Sequence, residues 1–255
     1  MKPLISVIII TKDQKDYLSK SLPILFKQKL FGELEIIVVD SGSPKDVIEF
    51  YKKFNLKIVK IKPNNFNFSY AFNKGASVAK GKYLIRLSGD VIPQKLDFVK
   101  QLISPFSDPK IGATYGNYQV IDKTQDYPPF WSQKDFPSNS IRHHVKFTPL
   151  SGIFEKSIKD YQNIFKLAGG CCAFPRLIWK KRPFNQKMKN SEDAEYAWYI
   201  HSLGLDIVYV PQAKCVHQHP KIDKTKYSLN FVEAAIQILP QILIENKIQN
   251  LNDKN

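Results

Sequence analysis

Three short segments of the chain carry side chains that together can support group-transfer chemistry. The dipeptide Glu192-Asp193 supplies carboxylates, His217 and His219 supply imidazoles, and Asp90 follows an apolar run far upstream. Carboxylates and imidazoles bind divalent cations and act as general bases. The set therefore predicts an enzyme that uses a metal ion in a transfer from an anionic donor.

The first 90 residues alternate strand and helix patterns. Short apolar runs predict strands, and apolar residues at helical spacing predict helices. The predicted strands are residues 5–10, 34–39, 57–61 and 83–87, and the predicted helices are residues 17–28, 44–54 and 69–79. This alternating order predicts an α/β fold with a parallel sheet and helices on both of its faces.

Polar residues follow three of these strands, at residues 11–13, 40–43 and 88–90. Because ligands bind beyond the carboxyl ends of the strands in such sheets, we expect the three segments to converge on one crevice. The alternative interpretation is that each segment is an ordinary helix cap or turn, since Thr, Asp and Ser favour those positions.

The rest of the chain is less regular. Its predicted elements are helices at residues 95–106, 175–180 and 193–203, strands at residues 113–120 and 206–210, and an amphipathic tail at residues 229–250. The strand at 113–120 is expected to lead away from the first half. Residues 122–159 lose periodicity and are rich in Pro and aromatic residues, which is typical of a functional loop or lid.

Composition limits the class of protein. The chain has 255 residues with 43% hydrophobic content, which is enough for one substantial core, and its apolar runs are shorter than a bilayer span. The start carries no signal-peptide pattern, so we expect a cytoplasmic protein. Three cysteines without CxxC spacing predict small buried side chains rather than a disulfide framework or a zinc site.

The formal net charge of +15 is compatible with three kinds of partner: nucleic acid, anionic lipid and a phosphate-bearing substrate. The lysines are scattered, and no basic block is longer than Lys180-Lys181-Arg182, so no nucleic-acid partner is expected. Two interpretations stay open. One is a basic enzyme in peripheral contact with an anionic membrane, and the other is a solvated lysine-rich surface without a partner.

Several short motifs follow one another along the chain. They are Ser6-Val7-Ile8-Ile9-Ile10-Thr11, Val38-Val39-Asp40-Ser41-Gly42-Ser43, Asn73-Lys74-Gly75-Ala76, Ala79-Lys80-Gly81, Leu87-Ser88-Gly89-Asp90-Val91-Ile92-Pro93, Tyr115-Gly116, Gly169-Gly170-Cys171-Cys172-Ala173-Phe174, Glu192-Asp193, Val210-Pro211-Gln212-Ala213 and His217. In these motifs and their order the chain resembles the family-two glycosyltransferases and, within them, the bacterial rhamnosyltransferase-like branch.

The resemblance implies a GT-A fold, a three-layer α/β sandwich with a mostly parallel central sheet. It also implies a single domain over residues 1–255. In that domain residues 1–120 form the nucleotide-binding half, residues 121–220 form the acceptor and catalytic half, and residues 221–255 form a helical tail.

The same resemblance implies a divalent-cation site. Asp90 stands where the family places the last acid of its DxD-like motif, and His217, with His219 as the second candidate, completes the site. Mn²⁺ or Mg²⁺ is the expected cofactor, because a bound cation neutralises the leaving nucleoside diphosphate. Ser88-Gly89 stand where other members carry a first Asp. The alternative for Asp90 is a capped strand end.

Asp193 matches the acid of the family's Glu-Asp motif, which acts as general base on the acceptor hydroxyl in inverting members. Glu192 and Glu195 are nearby alternatives. A structural role at a helix start, with Ser191 as the cap, is the other interpretation.

Further residues are implied to contact the nucleotide sugar. These are Thr11 and Asp40 for the nucleoside, Asn73 and Gly75 for the wall of the sugar-nucleotide site, Arg86 for phosphate, Ser88 beside the acidic motif, and Gly170 for close backbone approach. Trp131 is a candidate for stacking on a sugar, whereas Trp179 and Trp198 are predicted to be core. His143-His144 are predicted to be loop residues.

Together these features predict an inverting glycosyltransferase. It would move a sugar, rhamnose or a hexose, from a nucleotide-diphosphate donor to a glycan or lipid-linked acceptor in surface polysaccharide synthesis. One rival, nucleotidyl transfer, is disfavoured because the first strand runs into Thr11-Lys12-Asp13-Gln14 without a glycine-rich loop. The other rival is a non-catalytic basic protein that binds nucleic acid or a membrane on the same fold.

Overall fold

Nine strands form a central sheet within the described part of the chain. The structure is a computed structural model that describes residues 5–30, 32–128, 131–145 and 164–221. The strands are β1 (Ile5–Thr11), β2 (Leu34–Asp40), β3 (Lys57–Lys60), β4 (Tyr83–Ser88), β5 (Ile92–Pro93), β6 (Ile111–Gln119), β7 (Gln125–Asp126), β8 (Ile141–His143), β9 (Cys171–Pro175), β10 (Asp206–Val216) and β11 (His219–Pro220). The helices are α1 (Lys15–Phe26), α2 (Lys45–Tyr51), α3 (Phe68–Val78), α4 (Phe98–Ile103), α5 (Arg176–Lys181) and α6 (Glu192–Ser202).

The sheet order is β3-β2-β1-β4-β9-β6-β10-β5, with β8 also pairing to β10, while β7 and β11 form a separate pair. Strands β1 to β4 are mutually parallel. The Ile- and Val-rich sequences of β1 and β2 suit central strands, and every residue of β1 is buried. The predicted α/β class with a mostly parallel sheet is confirmed.

Strand β9 was not predicted, and it joins the two parts of the sheet. It runs antiparallel between β4 and β6, pairing Phe174 with Leu84 and Ala173 with Thr114. Strand β6 does not lead away from the first half, as we had expected, but lies within the same sheet. The segments 1–120 and 121–220 are therefore interleaved.

Strand β10 is longer than predicted and continues through Pro211 to Val216. An irregularity in its pairing with β6 falls between Val210 and Lys214, which accommodates the proline. Beyond this point β10 pairs antiparallel with β5, opposing Val216 to Ile92. This extension brings the histidines after β10 close to the residues after β4.

Core packing follows most of the predicted apolar positions. Trp179 and Trp198 are buried as predicted, and the three cysteines are buried free thiols. Helical spacing in the predicted helix 17–28 places Phe26 with Leu18, Leu22 and Leu25 on the inward face, but Phe26 is 43% exposed and stacks on Phe54 at the surface.

The irregular stretch and the tail are described only in part. Between residues 122 and 145 the described segments form β7, a 3-10 turn at Gln133–Asp135, and β8. The predicted tail helix at 229–250 lies outside the described residues. Among the helices that the structure describes, none is long and apolar enough to cross a membrane.

Candidate active site

A cavity of about 440 Å³ opens at the carboxyl ends of β1, β2 and β4. Its lining residues are Ile10, Thr11, Lys12, Gln14, Ser41, Pro63, Phe66, Phe68, Ser88, Gly89, Asp90, His217 and His219. The three polar segments after the strands thus each contribute to one cavity, as the topology of a parallel sheet requires. Thr11, Ser88, Asp90 and the two histidines are among the residues singled out from the sequence.

Asp90, His217 and His219 form a cluster on one side of this cavity. His217 Nε2 lies 3.5 Å from Asp90 Oδ1, and His219 Nε2 lies 3.9 Å from Asp90 Oδ2. The two histidine Nε2 atoms are 3.1 Å apart. One ligand atom from each residue falls within 4.8 Å of the others. Strand pairing sets this geometry, because β5 holds the chain after Asp90 against the end of β10.

The chemistry of the cluster fits a divalent cation. Burial opposes ionisation of Asp90, but His217 and His219 hold the pKa of its carboxyl below the usual value. Burial and the neighbouring His217 lower the pKa of His219, which favours the neutral imidazole that binds metals. One carboxylate and two imidazoles converging on a point suit Mn²⁺, and a Mg²⁺ ion would use the carboxylate.

Asp193 lies at the start of α6, outside the lining of the cavity. Its Oδ2 accepts a hydrogen bond from the Gly169 N–H and its Oδ1 accepts one from the Ala194 N–H, both at 2.9 Å. Burial and the neighbouring Glu192 raise the pKa of Asp193 to about 6. A carboxylate with that pKa can accept a proton near neutral pH.

The dipeptide Gly169-Gly170 lies between Asp193 and the cluster of Asp90, His217 and His219. A Cβ on Gly169 would lie 2.6 Å from Asp193 Oδ2, and one on Gly170 would lie 2.7 Å from His217 Cε1. The Gly170 carbonyl also accepts a hydrogen bond from the Ser88 N–H. The two glycines therefore let the side chains of Asp193 and His217 approach the backbone closely, and the approach of a sugar at Gly170 stays a prediction.

The two neighbouring acids are engaged elsewhere. Glu192 pairs with Arg86 at 2.5 Å, and Glu195 is buried in an ion pair with Arg182. Of the three acids, Asp193 alone makes no ion pair with a described residue. This favours Asp193 over Glu192 and Glu195 as the base.

The predicted cap at Ser191 is wrong in detail. Ser191 occupies the N-cap position of α6, but its side chain makes no capping hydrogen bond to the described residues. It adopts a left-handed backbone with φ 56°, which is uncommon outside glycine. Local strain of this kind next to Glu192-Asp193 accords with a functional segment.

Three predicted donor contacts lie away from the cavity. Asn73 bonds to the backbone of Phe184 and accepts from Trp179 Nε1, so it ties α3 to the segment after α5. A Cβ on Gly75 would meet Ile8 Cγ2 at 2.5 Å, which shows that this glycine lets α3 pack on the sheet. Arg86 is 3% exposed and pairs with Glu192 instead of reaching the cavity.

Asp40 stabilises the turn that lies beside the cavity. Its Oδ2 accepts hydrogen bonds from the N–H groups of Gly42 and Ser43, and its Oδ1 accepts one from the Ser43 hydroxyl. Asp40 thus shapes the turn after β2, while the adjacent Ser41 lines the cavity.

Sequence reasoning missed the aromatic wall of the cavity. Phe66 and Phe68 are 39% and 40% exposed and meet edge to face at 5.0 Å. The available signal was their alternation with asparagines just before α3, where Asn67 accepts a hydrogen bond from the Tyr70 N–H and caps the helix. Exposed aromatic rings at a cavity are suited to stacking on a nucleobase or sugar.

Trp131 and the His143-His144 pair do not line the cavity. Trp131 packs in an aromatic cluster that includes Tyr115 and Phe136. His143 belongs to β8 rather than to a loop and bonds to the Tyr115 hydroxyl at 2.8 Å.

The family of the chain is shown by its sequence. The model of Glycosyl transferase family 2 matches residues 6–181. The chain belongs to glycosyl transferase family 2. Membership favours glycosyl transfer over nucleotidyl transfer as the activity of this cavity.

Two curated relatives illustrate the range of similar proteins. The chondroitin synthase of Escherichia coli is 25% identical over 240 residues, covering 85% of this chain and 35% of that protein. A dolichyl N-acetyl-alpha-D-glucosaminyl phosphate 3-beta-D-2,3-diacetamido-2,3-dideoxy-beta-D-glucuronosyltransferase of Methanococcus voltae is 31% identical over 159 residues, covering 58% and 46%. The chain spans less than half the length of either relative.

Solved structures support the GT-A fold. The mannosyltransferase PcManGT of Pyrobaculum calidifontis, in complex with GDP-Man and Mn²⁺, superposes with a TM-score of 0.67 at 16% identity, covering 95% of this chain and 65% of its own. Residues 1–349 of S. aureus TarS, in complex with UDP-GlcNAc, give a TM-score of 0.64 at 17% identity, covering 89% and 61%. The GT-A fold implied by the sequence motifs is confirmed.

Proposed function

We propose that this family 2 member is an inverting, metal-dependent glycosyltransferase with a nucleotide-diphosphate sugar as donor. The observation that carries the proposal is the cavity that combines an Asp-His-His cluster, an aromatic wall and the polar ends of three parallel strands. The fit of the cluster to Mn²⁺ accords with the Mn²⁺ in the complex of the mannosyltransferase.

The residues divide the work as follows. Asp90, His217 and His219 would hold the cation, which when bound neutralises charge on the departing nucleoside diphosphate. Asp193 takes the proton from the acceptor hydroxyl as that oxygen bonds to the anomeric carbon. The bond from the anomeric carbon to the diphosphate oxygen breaks, and its electron pair leaves with the diphosphate. Attack from the face opposite the leaving group inverts the configuration.

The sugar and the acceptor form the finer part of the proposal. We assign a hexose or a deoxyhexose such as rhamnose as the sugar, following the rhamnosyltransferase-like motifs. The acceptor is a glycan or lipid-linked glycan of a surface polysaccharide, which accords with relatives named for polysaccharide synthesis. Within one domain, residues 1–120 would serve the donor with His217 and His219 completing its cation site, and the rest of residues 121–220 would serve the acceptor.

The proposal places the enzyme in the cytoplasm, in peripheral contact with the inner face of an anionic membrane. The net charge of +15 supports the contact with an anionic membrane.

A donor screen coupled to one variant tests the function. UDP-, GDP- and dTDP-sugars are tested for Mn²⁺-dependent thermal stabilisation, and transfer is then assayed with the donors that bind. Replacing Asp193→Asn should lower turnover by about 10²–10⁴-fold while donor binding is kept. Asp97→Asn is the matched control, because Asp97 also stands at a helix start but accepts a hydrogen bond from Gln101 of its own helix, whereas Asp193 accepts one from Gly169.

Two results would contradict the proposal. One is unchanged turnover in the Asp193 variant, which would remove the base. The other is thermal stabilisation by anionic polymer or lipid but by no sugar nucleotide, which would favour the non-catalytic rival.

A further inference from the structure

Arg86 and Glu192 form an ion pair inside the protein. Arg86 Nη2 lies 2.5 Å from Glu192 Oε1, and the two side chains are 3% and 7% exposed. Arg86 belongs to the central strand β4, and Glu192 is the first residue of α6. The pair therefore ties the sheet to the helix turn that carries Asp193.

Aromatic rings hold the guanidinium of Arg86 in place. Its Cζ lies 5.7 Å from the ring centre of Phe68 and 5.6 Å from that of Phe184. Contacts of this kind attract a cation to the ring faces and restrict its motion. Phe68 also lines the cavity, so the position of Arg86 is coupled to the aromatic wall.

The pair is a poor means of stabilising the fold. Arg86 Nε and Nη1 are buried and have no hydrogen-bond partner within the described part of the chain. Burying charged groups with unpaired N–H donors is costly, and a buried ion pair is often no more stabilising than apolar residues in its place. Burial acts to lower the pKa of Arg86, but Glu192, Cys172 and Asp193 together raise it above the ordinary value, so the guanidinium stays charged. These features indicate a role other than stability.

Asp193 is the group that this pair affects. Glu192 raises the pKa of Asp193, and Arg86 lowers it. Tyr118 on β6 and Cys172 on β9 also face Asp193, but burial raises the pKa of both groups, so they are neutral near pH 7. Among the described residues that act on Asp193, the charged ones are therefore Arg86 and Glu192.

We propose that Arg86 is a positioning residue for Asp193. Through Glu192 it fixes the first turn of α6, and its cation balances the Glu192 carboxylate beside the base. This inference rests on the proposed function, in which Asp193 accepts the proton of the acceptor.

The chain offers a matched control on the same helix. Arg182 and Glu195 form a second ion pair, with Glu195 buried, one turn further along α6. Arg182 also packs over an aromatic ring, that of Tyr199, at 4.6 Å. A general effect of losing an Arg–Glu pair on α6 would appear in Glu195→Gln as well.

The experiment is a carbon-detected NMR titration of the Asp193 carboxyl in the full chain without substrate. Glu192→Gln removes a like charge and should lower the pKa of Asp193, whereas Arg86→Gln removes the cation and should raise it, each by about one unit. Arg86→Lys should stay near the wild type, and Glu195→Gln should leave the titration unchanged. The double variant Arg86→Gln/Glu192→Gln buries no unpaired charge, and its Asp193 pKa should lie between those of the single variants. It keeps the test possible if one of the single variants does not fold.

Kinetics give the second readout. For Arg86→Gln, kcat should fall about tenfold or more at pH 7 with an unchanged donor KM, because a misplaced base affects the chemical step. Titrations and kcat values that match Glu195→Gln would overturn the positioning role. Failure of the proposed function appears differently, as an active Asp193→Asn protein, and leaves the substrate-free titration as it was.

Discussion

The Asp193 carboxylate binds its proton more tightly than an ordinary aspartate. Its hydrogen bonds come from two backbone N–H groups, while burial and Glu192 oppose the charged form. A base with a pKa of about 6 combines a large ionised fraction at neutral pH with useful proton affinity. Turnover should therefore decline as the pH falls through about 6.

The same shift links stability to pH. The folded chain binds the Asp193 proton more tightly than the unfolded chain, whose aspartates have a pKa of about 3.9. Ionisation of Asp193 therefore destabilises the fold above pH 6, and this penalty disappears as the pH falls toward 4. Relative to the wild type, Asp193→Asn should gain about 2–3 kcal/mol in free energy of unfolding between pH 4 and pH 8.

Denaturant unfolding of both proteins at the two pH values measures this difference. Asp97→Asn serves as the control at another helix start. A stability difference between Asp193→Asn and the wild type that is the same at both pH values would contradict the raised pKa.

The Asp-His-His cluster makes a separate prediction about metal binding. Asp90→Ala and His217→Ala should each weaken Mn²⁺ binding by about 10–100-fold or more, since each removes a ligand. Calorimetric titration with Mn²⁺ and the Mn²⁺-dependent shift in Tm measure the effect. His144→Ala is the control, because this imidazole pairs with Asp206 and lies outside the cavity. Equal Mn²⁺ affinity in all three variants would show that the cluster is not the metal site.

The strand-end rule for a parallel sheet predicted that Asp90 lies at this cavity, and the resemblance to family-two glycosyltransferases implied His217 and His219 as its partners. Asn73, Gly75 and Arg86 were predicted to contact the nucleotide sugar but do not line the cavity. A motif gives the order of residues along the chain but not how deeply each side chain is buried. Arg86 and Ser88 are two residues apart on β4, so their side chains lie on the same face of the strand. Ser88 lines the cavity, whereas Arg86 does not. That difference depends on α6, which is distant in sequence.

At the scale of elements, the Gly169-Gly170 turn before β9 serves two sites at once. One glycine faces the proposed base and the other faces a proposed metal ligand. Substituting them should therefore separate the two functions.

Gly169→Ala should lower kcat by up to about 10²-fold while Mn²⁺ binding is kept, because the added Cβ displaces Asp193. Gly170→Ala should weaken Mn²⁺ binding by about 10–100-fold, because its Cβ meets His217 and the Tyr118 hydroxyl. Each variant is the control for the other. Identical losses of Mn²⁺ affinity and kcat in both variants would indicate a general disruption of the turn instead.

The elements themselves were predicted unevenly, for a physical reason. Strands β1 and β2 contain long apolar runs, which identify buried strands locally. Strand β9 is only five residues long and follows a double glycine. It becomes a strand because it pairs with β4 and β6. Such pairing depends on contacts distant in sequence, so a local pattern does not reveal it.

At the scale of the whole molecule, the net charge of +15 favours association with anionic surfaces. Vesicles with about one-third anionic lipid should bind the protein at low salt and release it by about 0.5 M salt, where exposed charges are screened. Cosedimentation measures binding, and vesicles of neutral lipid are the control. Absence of binding at low salt would support the solvated lysine-rich surface.

The sheet order also has a consequence for synthesis on the ribosome. Strands β1 to β4 can assemble as soon as residue 88 has left the exit tunnel. The second neighbour of β4, strand β9, begins only at Cys171 and is synthesised later. Asp90 meets His219 only after a further 40-odd residues have emerged, and this contact closes the long loop between residues 90 and 219. A nascent chain halted before His217 would therefore lack two residues of the proposed metal site, so the loading of that proposed site would be a late step in biogenesis.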